Sequence, residues 1–281
     1  RGLGDVYKRQ GRGEMLGDIR LMHAIDNSWE LPDMVPAATS VQECLRNALQ
    51  IARRFGFDAL IYDFAPVPTT PEGVLMTPSV IEPCNVPSEM RDLWVHQGLY
   101  QKDPVQALAL RGSCPFFWSY HRKEASALQP HLDEDSHAVA EVLHDWHYTR
   151  GVTVPLHMPG NRFATMTALW HDACFAEARQ ALDLHVLRLA YLAHATNDRL
   201  AQLFGREELT PVGIGLSVRE QECIVLSAQG LSSKQIAWKL KRSESTVVLH
   251  LQSAARKLGG RNRAQAIARA AHFGYLREPL D

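Results

Sequence analysis

The 281-residue chain lacks most of the features that mark specialised classes of protein. Its five cysteines (Cys44, Cys84, Cys114, Cys174 and Cys223) are odd in number, scattered, and form no CxxC pair. That usage argues against a disulfide frame or a thiolate zinc site and fits reduced thiols in a cytoplasm. No apolar run approaches the ~18 residues that a bilayer-spanning helix needs, and no charged-then-apolar signal peptide opens the chain, so no membrane association is expected. Metal-ligand spacing is missing as well. His144 and His147 stand i, i+3 in "HDWH" without a third ligand at a fixed offset. "GSC" and "SYH" come with no base or oxyanion feature, so neither a catalytic group nor a cofactor is expected. No internal repeat is visible. The opening "RGLGDVYKRQGRG" has no apolar period and looks like translated leader or adapter sequence, so residues 1–14 are set apart from the fold.

What is present is an uneven charge. The net charge is -1, yet residues 217–281 hold 11 Lys+Arg against 5 Asp+Glu, a net of +6, and the rest holds 19 against 26, a net of -7. A basic block behind an acidic body is either a module for a polyanion or a solvated basic surface.

Apolar spacing divides the acidic body into helices and hairpins. "SVQECLRNALQIARRFG" has helical period with Ser40 as N-cap and Gly56 as stop, and "DALIYDF" is β-prone. "VLMTPSVIE", after a Pro/Thr/Gly-rich turn, reads as the hairpin partner of that strand. The stretch "NVPSEMRDLWVHQGLYQKDPV" has the spacing of a helix that ends in a glycine turn and re-enters with Asp-Pro. Its inward positions are Met90, Trp94 and one acid, Asp103. A short helix begins at Pro104, and "CPFFWS" is a bend or short strand. "SHAVAEVLHDWHYTRG" is a helix closed by Gly151, and "VTVPLHMPGNRFATMTALW" is a second hairpin around Pro-Gly-Asn. Residues 174–204 keep one long amphipathic period. The expected architecture is an α/β sandwich with an antiparallel sheet over residues 15–205 and a linker at 206–216. An all-α, four-helix domain follows over 217–281.

In the basic block Ser217 and Glu220 form a capping box, with Val218, Cys223, Ile224 and Leu226 on the buried side. Gly230 breaks the helix. Ser232 or Ser233 caps a second helix with Ile236, Ala237 and Leu240 inward. Ser243 caps a third with Val247, Leu251 and Ala254 inward, and a fourth starts near Asn262. Two short helices joined by a tight turn describe a helix-turn-helix or, since generic helix pairs are common, a small helical bundle without nucleic acid. On the first reading Ser245, Thr246, Val248, Leu249, Gln252 and Arg256 face the major groove. Gln252 suits adenine, Arg256 guanine, and Val248 and Leu249 thymine methyls. Lys234, Lys241, Arg242, Ser243 and Lys257 lie at the phosphates.

"REQE", the "QIAWKL" helix, "SESTVVLH" and "KL" followed by "NRAQAIARA" resemble the helix-turn-helix domain of the LuxR family across the whole block. The front half, roughly 35–205, resembles the autoinducer-binding domain of quorum-sensing LuxR regulators through "NVPSEM", "DPV", "PFFW" and "GVTVPLH", in order. The resemblance implies a sandwich that buries an N-acyl homoserine lactone between sheet and helices, with Asp103 accepting a hydrogen bond from the ligand amide. It also implies ligand-facing positions at Trp118, Thr153 and Thr167, a homodimer, and an inverted-repeat operator in double-stranded DNA. The bland reading of Asp103 is an N-cap on the Pro104 helix, and that of the two threonines is strand packing.

The departures carry information. Where lactone receptors have Tyr-Pro-x-x-Trp, with Tyr and Trp holding the two ligand carbonyls, this chain has Val86-Pro87-Ser88-Glu89-Met90. The next inward aromatic, usually Tyr, is Trp94. Met and Trp at these two positions resemble the plant-responsive LuxR solos of plant-associated bacteria, regulators without a lactone synthase partner that respond to low-molecular-weight plant compounds. The expectation is therefore a cytoplasmic, dimeric, ligand-responsive DNA-binding regulator whose effector is not a standard lactone. Its rivals are an ordinary lactone receptor, a ligand-independent DNA-binding dimer, and an enzyme with a regulatory tail.

Overall fold

The computed structural model describes residues 35–276; the set-apart residues 1–14 lie outside that range. Helix α1 (Val41–Arg54) starts where the Ser40 hydroxyl accepts from the Glu43 N–H, and it buries Leu45, Ala48 and Ala52. Strands β1 (Ala59–Ala65) and β2 (Val80–Cys84) follow as an antiparallel pair. After a wide helical turn at Asp92–His96 come the short helices α2 (Leu99–Lys102) and α3 (Pro104–Arg111) and strand β3 (Phe116–Ser119). Helix α4 (His137–Asp145) leads into the hairpin β4 (Arg150–Met158) and β5 (Arg162–Trp170). A short α5 (Phe175–Ala178) precedes the long α6 (Leu182–Ala201).

The strands form one antiparallel sheet in the order β2-β1-β5-β4-β3. Period-2 alternation sorts its faces. Leu60, Tyr62 and Phe64 of β1, Val152, Val154 and Leu156 of β4, and Ala164, Met166 and Ala168 of β5 point into a core roofed by α1 and α6. The intervening residues, Ile61, Asp63, Thr165, Thr167 and Leu169 among them, lie on the opposite side. There Met90, Trp94, Leu99, Tyr100, Val105, Val139 and Leu143 make a second core. The expected sandwich is present, with helices on both faces of the sheet.

The remaining helices are α7 (Val218–Ala228), α8 (Ser233–Leu240), α9 (Glu244–Leu258) and α10 (Arg263–His272). Their N-caps are Ser217, Ser232, Ser243 and Asn262, each accepting from a backbone N–H three residues on. Residues 206–216 carry no helix or strand, although Pro211 and Leu216 are buried. Val67 and Met76, from the β1–β2 connection, share an apolar cluster with Leu216, Ile224 and Phe273.

Four local expectations change. Val218 is not inward but 54% exposed, because it is the first residue of α7 and lies outside the buried stripe. The partner of β1 is shorter than "VLMTPSVIE": Leu75 makes only an isolated bridge to Thr69, and regular pairing starts after Pro78, which has no N–H to donate. The long period from Cys174 is broken before Leu182, where Phe175 turns in against Trp170 and Phe117. Gly151 does not close a helix. Helix α4 ends at Asp145, His147 takes the left-handed conformation (φ 58°), and Gly151 sits within β4.

Gly151 is there because Trp118 needs the space. A Cβ at that position would lie 2.5 Å from the Trp118 ring and 2.8 Å from the Ala168 carbonyl oxygen. Gly151→Ala should lower stability by about 1–3 kcal/mol, the usual cost of overpacking. Urea denaturation checks this, and adding Trp118→Phe to Gly151→Ala should recover part of the loss.

Candidate functional site

Between the sheet and its second helical layer lies a cavity of about 30 Å³, lined by Ile61, Asp63, Ile81, Met90, Trp94, Asp103, Val105, Gln106, Trp118, Leu143, Thr167 and Leu169. Drug-sized ligand sites run to ~300 Å³ and more, so a ligand larger than a few atoms must displace the aromatic walls. Of the positions expected at a ligand, Met90, Trp94, Asp103, Trp118 and Thr167 meet here. Thr153 is fully buried beneath them. It accepts from Trp118 Nε1 at 2.9 Å and shares a 2.8 Å hydrogen bond with Thr167, so it orients Trp118 rather than lining the space. Val86 is half-buried at the edge of the same core and is not among the lining residues.

Asp103 both caps α3 and faces the cavity. Its Oδ1 accepts from the Val105 N–H at 2.9 Å and from the Tyr120 hydroxyl at 2.8 Å, and its Oδ2 accepts from Trp94 Nε1 at 3.3 Å. The protein therefore supplies three of the donors that a buried carboxylate requires. Burial holds its pKa above the ordinary value, against the opposing pull of Tyr120, Val105 and Trp94.

The sequence reading missed a second acid at the same cavity. Asp63 of β1 is 1% exposed and accepts from Thr165, from the Tyr100 hydroxyl at 3.0 Å and from Gln106 Nε2 at 3.4 Å. Burial pushes its carboxyl up to about 7, the three hydrogen bonds opposing the rise and the charge of Asp103 adding to it. The signal was available: strand alternation in "LIYDF" places Asp63 opposite Tyr62 and Phe64. Composition alone does not say that this face borders a cavity.

In the C-terminal helices, Lys234, Lys241, Arg242, Ser243, Ser245, Leu249, Gln252, Arg256 and Lys257 are exposed, and Thr246 and Val248 are half-buried. Lys241 ends α8 in the left-handed conformation (φ 53°), and Ser243 then opens α9, which is the tight turn between the two helices. The Ser243 hydroxyl already serves as a cap, accepting from the Thr246 N–H at 3.1 Å. Lys257 is engaged too: its Nζ lies 2.7 Å from Glu220 Oε2, and Ser253 donates to Glu220 Oε1 at 2.7 Å. Burial raises the Glu220 carboxyl, but these bonds and those from Ser217 outweigh it and bring it down to about 2.

The sign of each shift fixes a pH window. Asp63 titrates near 7 folded and near 3.9 unfolded, so the folded state holds the extra proton, and stability falls as pH rises from about 4 to about 7. The fall is on the order of 4 kcal/mol, and Asp63→Asn should flatten it. Glu220 acts oppositely, and its contribution is lost as pH drops from about 4.5 towards 2. Urea midpoints at pH 5 and pH 8 test the first claim, and a pH dependence in Asp63→Asn as steep as in wild type would refute it.

Comparison with known proteins places both halves of the chain in known families. The family described as "Autoinducer binding domain" matches residues 40–200, and that described as "Bacterial regulatory proteins, luxR family" matches residues 215–270. The transcriptional activator protein BjaR1 of Bradyrhizobium diazoefficiens is 28% identical over 256 residues, 89% of this chain and 97% of that protein. The quorum sensing-dependent transcriptional regulator RpaR of Rhodopseudomonas palustris is 30% identical over 196 residues, 68% of this chain and 73% of that protein. The crystal structure of Escherichia coli SdiA shares the fold, with a TM-score of 0.54 at 19% identity over 94% of this chain and 100% of that one. The chain belongs to the luxR family: it is a ligand-responsive transcription regulator, not an enzyme, with an autoinducer-binding domain ahead of its helix-turn-helix domain.

Proposed function

We propose that this regulator is a LuxR solo whose effector is a small, plant-derived or other non-lactone molecule. The observation that supports this is Met90, 1% exposed at the cavity, where the resemblance would put a tryptophan donor for a lactone carbonyl. A thioether offers only a weak acceptor, so a lactone carbonyl there is left unpaired. Val86, in place of the tyrosine donor, has no hydroxyl and lies outside the lining. On this reading Met90, Trp94, Asp103, Trp118 and Thr167 contact the effector, Val86 borders it, and Thr153 supports it.

The protein would act in the cytoplasm as a homodimer on an inverted-repeat promoter operator, with residues 15–205 sensing, 206–216 linking and 217–281 binding duplex DNA. No helix among the described residues is long and apolar enough to cross a membrane. Ser245, Thr246, Val248, Leu249, Gln252 and Arg256 would meet base edges, and Lys234, Lys241, Arg242, Ser243 and Lys257 would meet phosphates.

Two experiments test these assignments. The unmodified protein should respond poorly to acyl homoserine lactones in a reporter assay, and Val86→Tyr with Met90→Trp should shift its response towards them. Saturable activation of wild type by nanomolar lactone would overturn the reading in favour of an ordinary lactone receptor. On operator DNA, Arg256→Ala should relax sequence preference. Lys257→Ala should weaken all sequences alike and also cost about 1–2 kcal/mol of stability, because it strips the partner from Glu220. Affinity that is unchanged between roughly 50 and 200 mM salt would exclude the phosphate contacts.

A further inference from the structure

Apart from the Thr167 hydroxyl, the polar groups that line the cavity are acceptors or donors already committed. Asp63, Asp103 and Gln106 are each at least nine-tenths buried (1%, 7% and 6% exposed) and line the same space. Gln106 gives its Nε2 to Asp63 at 3.4 Å, and its Oε1 is enclosed without any hydrogen-bond partner. Above about pH 7, where Asp63 is ionised and only accepts, this is the orientation that gives the carboxylate a donor. The nearby donors are already committed: Trp94 Nε1 and the Tyr120 hydroxyl to Asp103, the Tyr100 hydroxyl to Asp63, and Trp118 Nε1 to Thr153. The cavity thus offers acceptors, two of them carboxylates, within apolar walls of Ile61, Ile81, Met90 and Leu169. A ligand carbonyl finds no free donor among these groups. A cation with several N–H groups would satisfy an orphaned oxygen and separate two like charges.

We propose that the cavity takes a small ligand bearing a protonated amine, whose ammonium N–H groups are shared among Asp63, Asp103 and the Gln106 carbonyl, with an apolar arm against Met90 and Leu169. This rests on the reading of the front domain as a sensor of a non-lactone molecule, and it names the ligand's chemical class. The raised carboxyl of Asp63 follows from the same arrangement, since burial and the neighbouring acid both oppose its charge. Facing Asp63 are Tyr100 on α2, Asp103 at the cap of α3, Gln106 on α3 and Thr165 on β5, while Tyr62, next to it on β1, points to the opposite face. Both tyrosines are held protonated, their pKa values raised first by burial, so neither changes charge between pH 6 and 8, where Asp63 does.

The test is titration of the full-length protein with hexylamine, hexanol and N-hexanoyl homoserine lactone, followed by melting temperature. Hexylamine, an ammonium throughout this range, should bind at least about tenfold more tightly than hexanol at pH 8, the scale of a charge-assisted hydrogen bond. Its advantage should shrink at pH 6, where Asp63 is protonated. Asp63→Asn should bring the two within about twofold of each other, and Gln106→Leu should weaken the amine more than the alcohol. If Asp63→Asn fails to fold, the pH dependence of the wild type decides alone. Equal binding of amine and alcohol at pH 8, or no binding of the amine, overturns the proposal while the non-lactone reading stands. Nanomolar binding of the lactone overturns both.

Discussion

Two carboxylates buried against one face of the sheet fix the arrangement of the sensing domain. A buried carboxylate is tolerated only when donors converge on it, and each acid draws those donors from separate parts of the chain. Asp63 on β1 gathers Tyr100 of α2, Gln106 of α3 and Thr165 of β5. Asp103 gathers the first turn of α3, Tyr120 just beyond β3, and Trp94 from the turn before α2. The helical layer over the cavity is therefore positioned by directional bonds to two acids as well as by apolar contact.

The helix-turn-helix domain uses the same device once. Glu220 closes the capping box of α7 and also takes Ser253 and Lys257 of α9, tying the first helix to the one that presents Gln252 and Arg256. The chain leaving β1 links the two regions covalently, running from Asp63 at the cavity to Val67 in the cluster with Leu216, Ile224 and Phe273. Ser79, just before β2, donates to the carbonyl of Glu208 at 2.5 Å. β1, which carries Asp63 of the cavity wall, is thus joined to β2 by the connection that touches the DNA-binding helices.

Local chemistry made much of this readable from the sequence. Ser40, Ser217, Ser232, Ser243 and Asn262 cap helices where side-chain rules place them, and the Pro-Gly-Asn turn closes the β4–β5 hairpin as expected. Tertiary demands hid the rest. Gly151 reads as a helix stop by local rules, whereas its reason for being glycine is the Trp118 ring packed on it from another strand. Phe175 breaks an otherwise continuous helical period where Phe117 stacks on it and Trp170 meets it edge-on. Sequence adjacency carries no information about either contact.

The cavity shows the same limit at the level of function. Asp103 stood out because Asp-Pro is a motif, and its neighbours Met90 and Trp94 stood out by helical spacing. Asp63 lies in an unremarked β-prone run, and Gln106 in a short apolar helix. Only the fold sets them beside Asp103, and only the full set of partners shows that the indole and phenol donors are used up while an acceptor stays open. A lone acid in an apolar wall admits a neutral amide as its partner. Two acids and an orphaned carbonyl in one small space favour a cation, because a neutral donor leaves the repulsion between the carboxylates in place.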